Sequence, residues 1–136
     1  VKEECTWLPR LGFELALAKK NTAFEYFGKG PLENYCDSSH FATAGWYQST
    51  PAAEYVPYVR PQEHGNHTAV RELRMENSLV FRAEEQMECC VLPYSGQQLE
   101  QARHTDEIGR SEATFVRVDY KCSGLGSASC GPDLPE

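Results

Sequence analysis

Apolar residues recur at every second position through most of this chain, and that period limits what it can fold into more than any other feature does. In "LGFELAL" the residues Leu11, Phe13, Leu15 and Leu17 share one face while Gly12, Glu14 and Ala16 take the other, the pattern of a half-buried strand. "AFEYFG" reads as a second strand, closed by "GKGP", whose Gly28, Gly30 and Pro31 favour a turn. "EYVPYVRP" reads as an edge or bulged strand, because its two prolines have no amide hydrogen to give a ladder. "AVRELRM" sets Leu73 and Met75 against Glu72 and Arg74. "SLVFRAE" and "QMECCVLPY" follow, the second alternating at Met87, Cys89 and Val91. "TFVRVDYKC" closes the series with Val116, Val118 and Tyr120 opposite Arg117 and Asp119.

One segment breaks the period. "SGQQLEQARHTDEI" predicts a helix from Ser95 to Ile108, opened by a Ser95/Gln98 capping box and ended by Gly109. Many short strands, frequent turns and one helix predict an antiparallel β-sandwich. With 136 residues, 40% of them hydrophobic, the chain has the size of one domain with a core of its own.

A net charge of −7 argues against nucleic acid, whose phosphates need a basic patch, and no apolar run is long enough to span a membrane. The opening "VKEECTWLPR" shows no secretory signal, and its abrupt start is compatible with a larger parent. Six cysteines stand at Cys5, Cys36, Cys89, Cys90, Cys122 and Cys130, with no C-x-x-C pair. They are expected to be reduced and mostly buried, with the adjacent Cys89 and Cys90 on opposite faces of a strand.

The densest cluster of chemically capable side chains is "YVRPQEHGNHTAVREL". Glu63, His64 and His67 have the residue types of a zinc site, but such sites need three or four converging ligands, and Pro61, Gly65 and Asn66 are ordinary turn formers. The reading is strand–turn–strand, with no metal. Asn66-His67-Thr68 is formally a glycosylation sequon, expected to be unused. Glu84 and Glu85 project to opposite faces of a strand, so they do not make the facing carboxylate pair of a glycosidase. "SGLGSASCGP" has the glycines of a phosphate loop without a helix behind it, and reads as a flexible loop presenting Cys130. Trp46 and Tyr47 are the aromatics expected to be partly exposed.

In order, "LPRLGF", "EYFGKGPLENYCD", "YVPYVRPQEHGNHTAVREL", "LPYSGQQLEQARHTDEI" and "VDYKCSGLGSASCGP" resemble the C-terminal β-sandwich of the large bacterial β-galactosidases, from about Leu8 to Pro132. "GKGPLENY" and "YVRPQEHGN" are the most specific pieces. The resemblance implies a fold like that of galactose mutarotase, and a partial one, with further strands before "LPRLGF" and after the glycine-rich loop. It implies a non-catalytic, cytoplasmic piece of an enzyme that hydrolyses terminal β-galactosides, the catalytic glutamates lying in a barrel domain outside this chain. No cofactor is expected here, although the parent is expected to use Mg²⁺ and Na⁺. The expected partners are the remaining domains, the β-galactoside itself and, through unpaired strand edges, a second copy of the chain. By resemblance Ser129, Cys130 and Gly131 reach the rim of the substrate pocket, with Cys130 nearest the place where some members carry a sugar-stacking tryptophan. Two alternatives remain at this stage. A stand-alone carbohydrate-binding module would need an exposed aromatic platform. A mutarotase-like enzyme would need a His and a Glu converging in one cleft, sought first among His64, His67, His104 and Glu63.

Overall fold

The computed structural model describes residues 8, 10–18, 22–109 and 111–122. They form one antiparallel sheet of six strands: β1 (Arg10–Leu17), β2 (Phe24–Gly30), β3 (Thr43–Ser49), β4 (Asn66–Met75), β5 (Val80–Leu92) and β6 (Thr114–Cys122). Their order across the sheet is β1-β6-β5-β4-β2-β3, so β1 and β3 are the edges. Two short helices, α1 (Pro51–Glu54) and α2 (Gly96–Gln101), and a 3-10 turn at Thr105–Glu107 complete the elements. The expected all-β antiparallel class is the one found. Among the described residues no helix is long and apolar enough to cross a membrane.

The sheet curls over on itself. Tyr26 is in register with Leu73, yet its ring stacks on His67 at 4.3 Å. Six residues of straight strand would separate His67 from Leu73 by about 20 Å. Likewise Phe13 is in register with Val118, and Val118 with Cys89. The Phe13 ring nevertheless lies 6.1 Å from Phe81, eight positions before Cys89 in β5. The bend in β4 falls at two register shifts between His67 and Glu72, where Ala69 is forced to φ 53°, a left-handed conformation costly for a residue with a Cβ. Through this bend Val91, Val116 and Val118 of one half face Phe24, Leu73 and Met75 of the other, all in one buried cluster, as the two layers of a sandwich do.

Several local expectations are corrected. "GKGP" does not turn, because β2 runs on through Gly30. Its glycines serve close approach, since a Cβ on Gly28 would meet Val70 Cγ2 at 2.7 Å and one on Gly30 would meet Tyr47 Cδ2 at 2.8 Å. "EYVPYVRP" forms no strand: the chain from 55 to 65 is irregular and leads into β4, so Pro57 and Pro61 exclude the ladder outright. "SLVFRAE" and "QMECCVLPY" are one 13-residue strand, β5. The Ser95/Gln98 capping box is present, but α2 stops at Gln101, well before Gly109. Leu99 and Ile108 both pack in a second cluster with Cys90 and Leu92. Nine residues of continuous helix would put those two side chains on opposite faces, so burying both requires the break.

Candidate functional site

The largest concentration of buried charge lies on the other face of β6 from the valines. Arg117 and Asp119, expected opposite the valines, are only 7% and 0% exposed. Asp119 fits because of the β1 residue beside it. Gly12 follows a register shift, and a Cβ there would come 2.7 Å from Asp119 Cα and closer still to its carboxylate. Arg10, two residues earlier, reaches back over that gap. Its Nε forms an ion pair with Asp119 Oδ2 at 2.9 Å, while its Nη2 pairs with Glu63 and donates to Cys122 Sγ at 3.3 Å. Arg117 lies between the same two acids, 3.6 Å from Glu63 Oε1 and 3.9 Å from Asp119 Oδ2.

This junction ties the irregular segment 55–65 to the sheet, and a second set of polar contacts finishes the work. Glu33 accepts from Tyr58 Oη and from the Gly65 amide, both at 2.6 Å. Gly65 has φ 73°, which glycine tolerates without strain. Asn66 Nδ2 donates to Glu88 Oε2 at 2.7 Å and to the Asn34 carbonyl at 3.1 Å. Asn34 in turn accepts from the Thr68 amide at 3.0 Å. Asn66 is 0% exposed, so its sequon is closed to glycosylation in the folded chain.

Burial pushes Asp119 up to about 6, with Arg10 and Arg117 opposing the shift. Burial works against the Arg10 charge too, yet its pairing with Glu63 leaves it above the ordinary guanidinium range. Tyr58 is raised to about 12, first by its hydrogen bond to Glu33. Burial raises Cys90 to about 11 and Cys89 well above the usual thiol value, so neither is a ready nucleophile at neutral pH. Both are free thiols, in different clusters on the two faces; Cys36 is free and exposed, and Cys122 is buried beside Arg10.

The expected cluster is split by the fold. Glu63 belongs to the arginine junction. His64 packs edge-on against Tyr55 and Tyr58, with Nδ1 2.8 Å from the Gln62 carbonyl oxygen. His67 turns to the other face, where Nδ1 meets Tyr26 Oη at 2.9 Å and Nε2 meets Glu54 Oε2 at 3.1 Å. A His and a Glu do converge, but the pair is His67 with Glu54, and their side chains are 0% and 9% exposed. The Tyr26–His67–Glu54 series clamps α1 to the sheet, and its burial closes it to an incoming sugar. His40 and His104 are exposed and lie outside both clusters. Trp46 is 49% exposed and Tyr47 partly exposed, as expected, with Tyr47 packed against the main core. Ser129, Cys130 and Gly131 lie outside the described residues. Asp119 and Glu63 are already matched by two guanidinium groups that repel a cation, so the junction does not suit Mg²⁺ or Na⁺.

Arg10, Glu54, Asn34 and Glu88 gave no sequence signal, since each acts through partners far along the chain. Arg117 and Asp119 did carry one: opposite charges two apart on a strand share a face and can be neutralised by a common partner.

Fold and site together define a bent antiparallel β domain whose buried charges are matched internally, an arrangement that fixes architecture. The family model described as β-galactosidase small chain matches residues 1–136, and the chain belongs to that family. It is 38% identical over 133 residues to the β-galactosidase of Actinobacillus pleuropneumoniae, covering 98% of this chain and 13% of that protein. It is 35% identical over 123 residues to the β-galactosidase of Streptococcus thermophilus, covering 87% of this chain and 12% of that protein. To the β-galactosidase of Staphylococcus xylosus it is 30% identical over 133 residues, covering 96% of this chain and 13% of that protein. The chain therefore spans roughly an eighth of the length of the relatives it matches.

Proposed function

We propose that this chain is a non-catalytic domain of a cytoplasmic bacterial β-galactosidase that hydrolyses terminal β-D-galactosides of the lactose type. It supports assembly and sends Ser129, Cys130 and Gly131 to the rim of the substrate pocket. The observation that carries this reading is the uncovered apolar strip on β1, where Leu11, Phe13 and Leu15 are 58%, 51% and 37% exposed. Adjacent apolar side chains on an edge strand are a surface that further polypeptide would bury. The acid/base and nucleophilic carboxyls of a retaining mechanism then belong to the remaining domains, as do Mg²⁺ and Na⁺. Without those domains, the β1 and β3 edges are where a second copy would pair.

Two measurements test it. The purified chain incubated with a chromogenic galactoside releases no product above buffer. Turnover that disappears when one of the chain's own acids is mutated would show a catalytic centre within it. In the full-length parent, Cys130→Ala raises KM about two- to threefold and leaves kcat unchanged, because a small apolar contact at a pocket rim binds ground and transition states alike. An unchanged KM removes Cys130 from the rim.

A further inference from the structure

The half of the sheet formed by β2, β3 and the end of β4 has an open outer face, and that face is organised. Trp46 stands at its centre, half exposed, with Phe27 directly across the strand pair and the two rings 5.6 Å apart. Arg74 lies over the indole at 4.5 Å and is fixed there by two carboxylates, donating to Glu25 at 2.8 Å and to Glu72 at 2.5 Å. Gln48 donates to the other oxygen of Glu25 at 3.3 Å. Beside the platform is a recess of about 690 Å³, whose wall includes Glu25, Gln48 and Arg74 together with apolar Phe24, Met75 and Val80.

We propose that this face is a second carbohydrate site, which takes a neutral pyranoside by stacking the apolar C–H face of one sugar ring on Trp46. The inference is independent of the non-catalytic reading above. Three features select the ligand class. Four charges of this face, Glu25, Glu72, Arg74 and Arg82, are two of each sign and cross-paired, and Lys29 at its far end donates to Ser39, so the frame around the indole has little net charge to attract an anion or a cation. Carboxylate, amide and guanidinium are planar groups, each able to bond two adjacent hydroxyls at once, and here they border an aromatic surface. The recess shares Glu25, Gln48 and Arg74 with the frame of the indole, and its volume falls within the usual range for small-molecule sites, about 300–1,000 Å³. Hydrogen bonds from Arg74 and Gln48 also hold Glu25 below the ordinary carboxylate range, keeping it an acceptor for hydroxyls at any physiological pH. Arg74 already covers part of the indole, yet Trp46 remains 49% exposed, so ring surface is left for a ligand.

The test uses the full-length β-galactosidase that carries this chain, with its catalytic pocket first blocked by a mechanism-based fluorosugar. Lactose and a β-1,4-linked galactotriose are titrated by calorimetry and by saturation-transfer NMR. The expected result is a saturable site that survives the block. Trp46→Ala weakens it at least about fivefold and Gln48→Ala about threefold, because stacking and one hydrogen-bonding group are lost in turn. Trp46→Phe, which keeps a ring and guards against a folding defect, retains part of the affinity. Hydrolysis of a small chromogenic galactoside by the unblocked variants is unchanged. No sugar binding after the block, or binding indifferent to both alanine variants, overturns the proposal. So does a Trp46→Ala enzyme with altered oligomeric state and no second sugar site, which would assign the face to a protein contact. Failure of this site leaves the activity assay on the isolated chain untouched, so the two readings fall separately.

Discussion

β1 and β2 carry the same kind of pattern and meet opposite fates. β2 lies between β3 and β4, and its inward residues Phe24, Tyr26, Gly28 and Gly30 are all buried while Glu25, Phe27 and Lys29 are half-buried. β1 pairs only with β6 among the described residues, and Leu11, Phe13 and Leu15 remain exposed although Val118 and Val116, the cross-strand partners of Phe13 and Leu15, are 8% and 0% exposed. The fold-over of the sheet accounts for the difference. The folded half covers β6 and comes no further than the Phe13–Phe81 contact, so β1 extends beyond the roof. Alternation decides which side of a strand is apolar; the number of layers above it decides whether that side leaves water. What holds β1 in place is largely its ladder to β6 and the Arg10 junction.

The strongest way to break this comparison is at the centre of β2. Tyr26→Ala removes the stack on His67, the hydrogen bond to its Nδ1 and contacts with Phe24 and Tyr47. The residue is 0% exposed, so the lost volume becomes a cavity, and the expected cost is about 3–5 kcal/mol. Denaturant unfolding of the chain measures it. A loss below about 1 kcal/mol would mean that the folded-over half is not packed as described.

The same contrast shows where the sequence could be read and where it could not. Leu73 and Met75, Met87, Cys89 and Val91, and Val116 and Val118 lie on the buried faces that their spacing assigns them. The Ser95/Gln98 box is legible because both partners are three residues apart. The half-burial expected for β1 fails, because coverage depends on a bend far along the chain at Ala69, whose left-handed backbone nothing in the local sequence announces. Arg10 and Asp119 are hidden for the same reason: the pair spans nearly the whole chain, and Gly12 reads as an ordinary strand glycine until the carboxylate beside it is known. Trp46 was legible as an exposed aromatic, but its frame of Glu25, Gln48 and Arg74 comes from three strands.

A smaller effect sharpens the role of the junction in holding β1. Because burial raises Asp119 to about 6 from an ordinary 3.8, the folded chain binds that proton more tightly than the unfolded one. Its contribution to stability is therefore complete below about pH 4 and is lost as pH rises through about 6, with an upper bound of about 3 kcal/mol. Urea unfolding of the wild type and of Asp119→Asn at pH 4, 5, 6 and 7 isolates it. The wild type should gain on the variant as pH falls from 7 to 4. A difference that is flat, or that runs the other way, would mean that the arginines and not burial set the protonation of Asp119.

The smallest expected effect is the most discriminating for β1 itself. Leu11 is 58% exposed and sits beside a register shift, so in the 136-residue chain it has little apolar contact to lose. Leu11→Ser should change stability by no more than about 0.5 kcal/mol, the range for substitutions on an open surface. In the full-length parent the same change should cost about 2 kcal/mol or more, if further polypeptide closes over the strip and the leucine becomes a fully buried side chain. The two values must be measured together, because their difference, and not either one, reports coverage. A cost above about 1.5 kcal/mol in the chain alone would show that β1 is already roofed and that its exposure here is not a surface awaiting a partner. Equal small costs in both would leave the strip uncovered in the parent as well, and would move the assembly contact to the β3 edge.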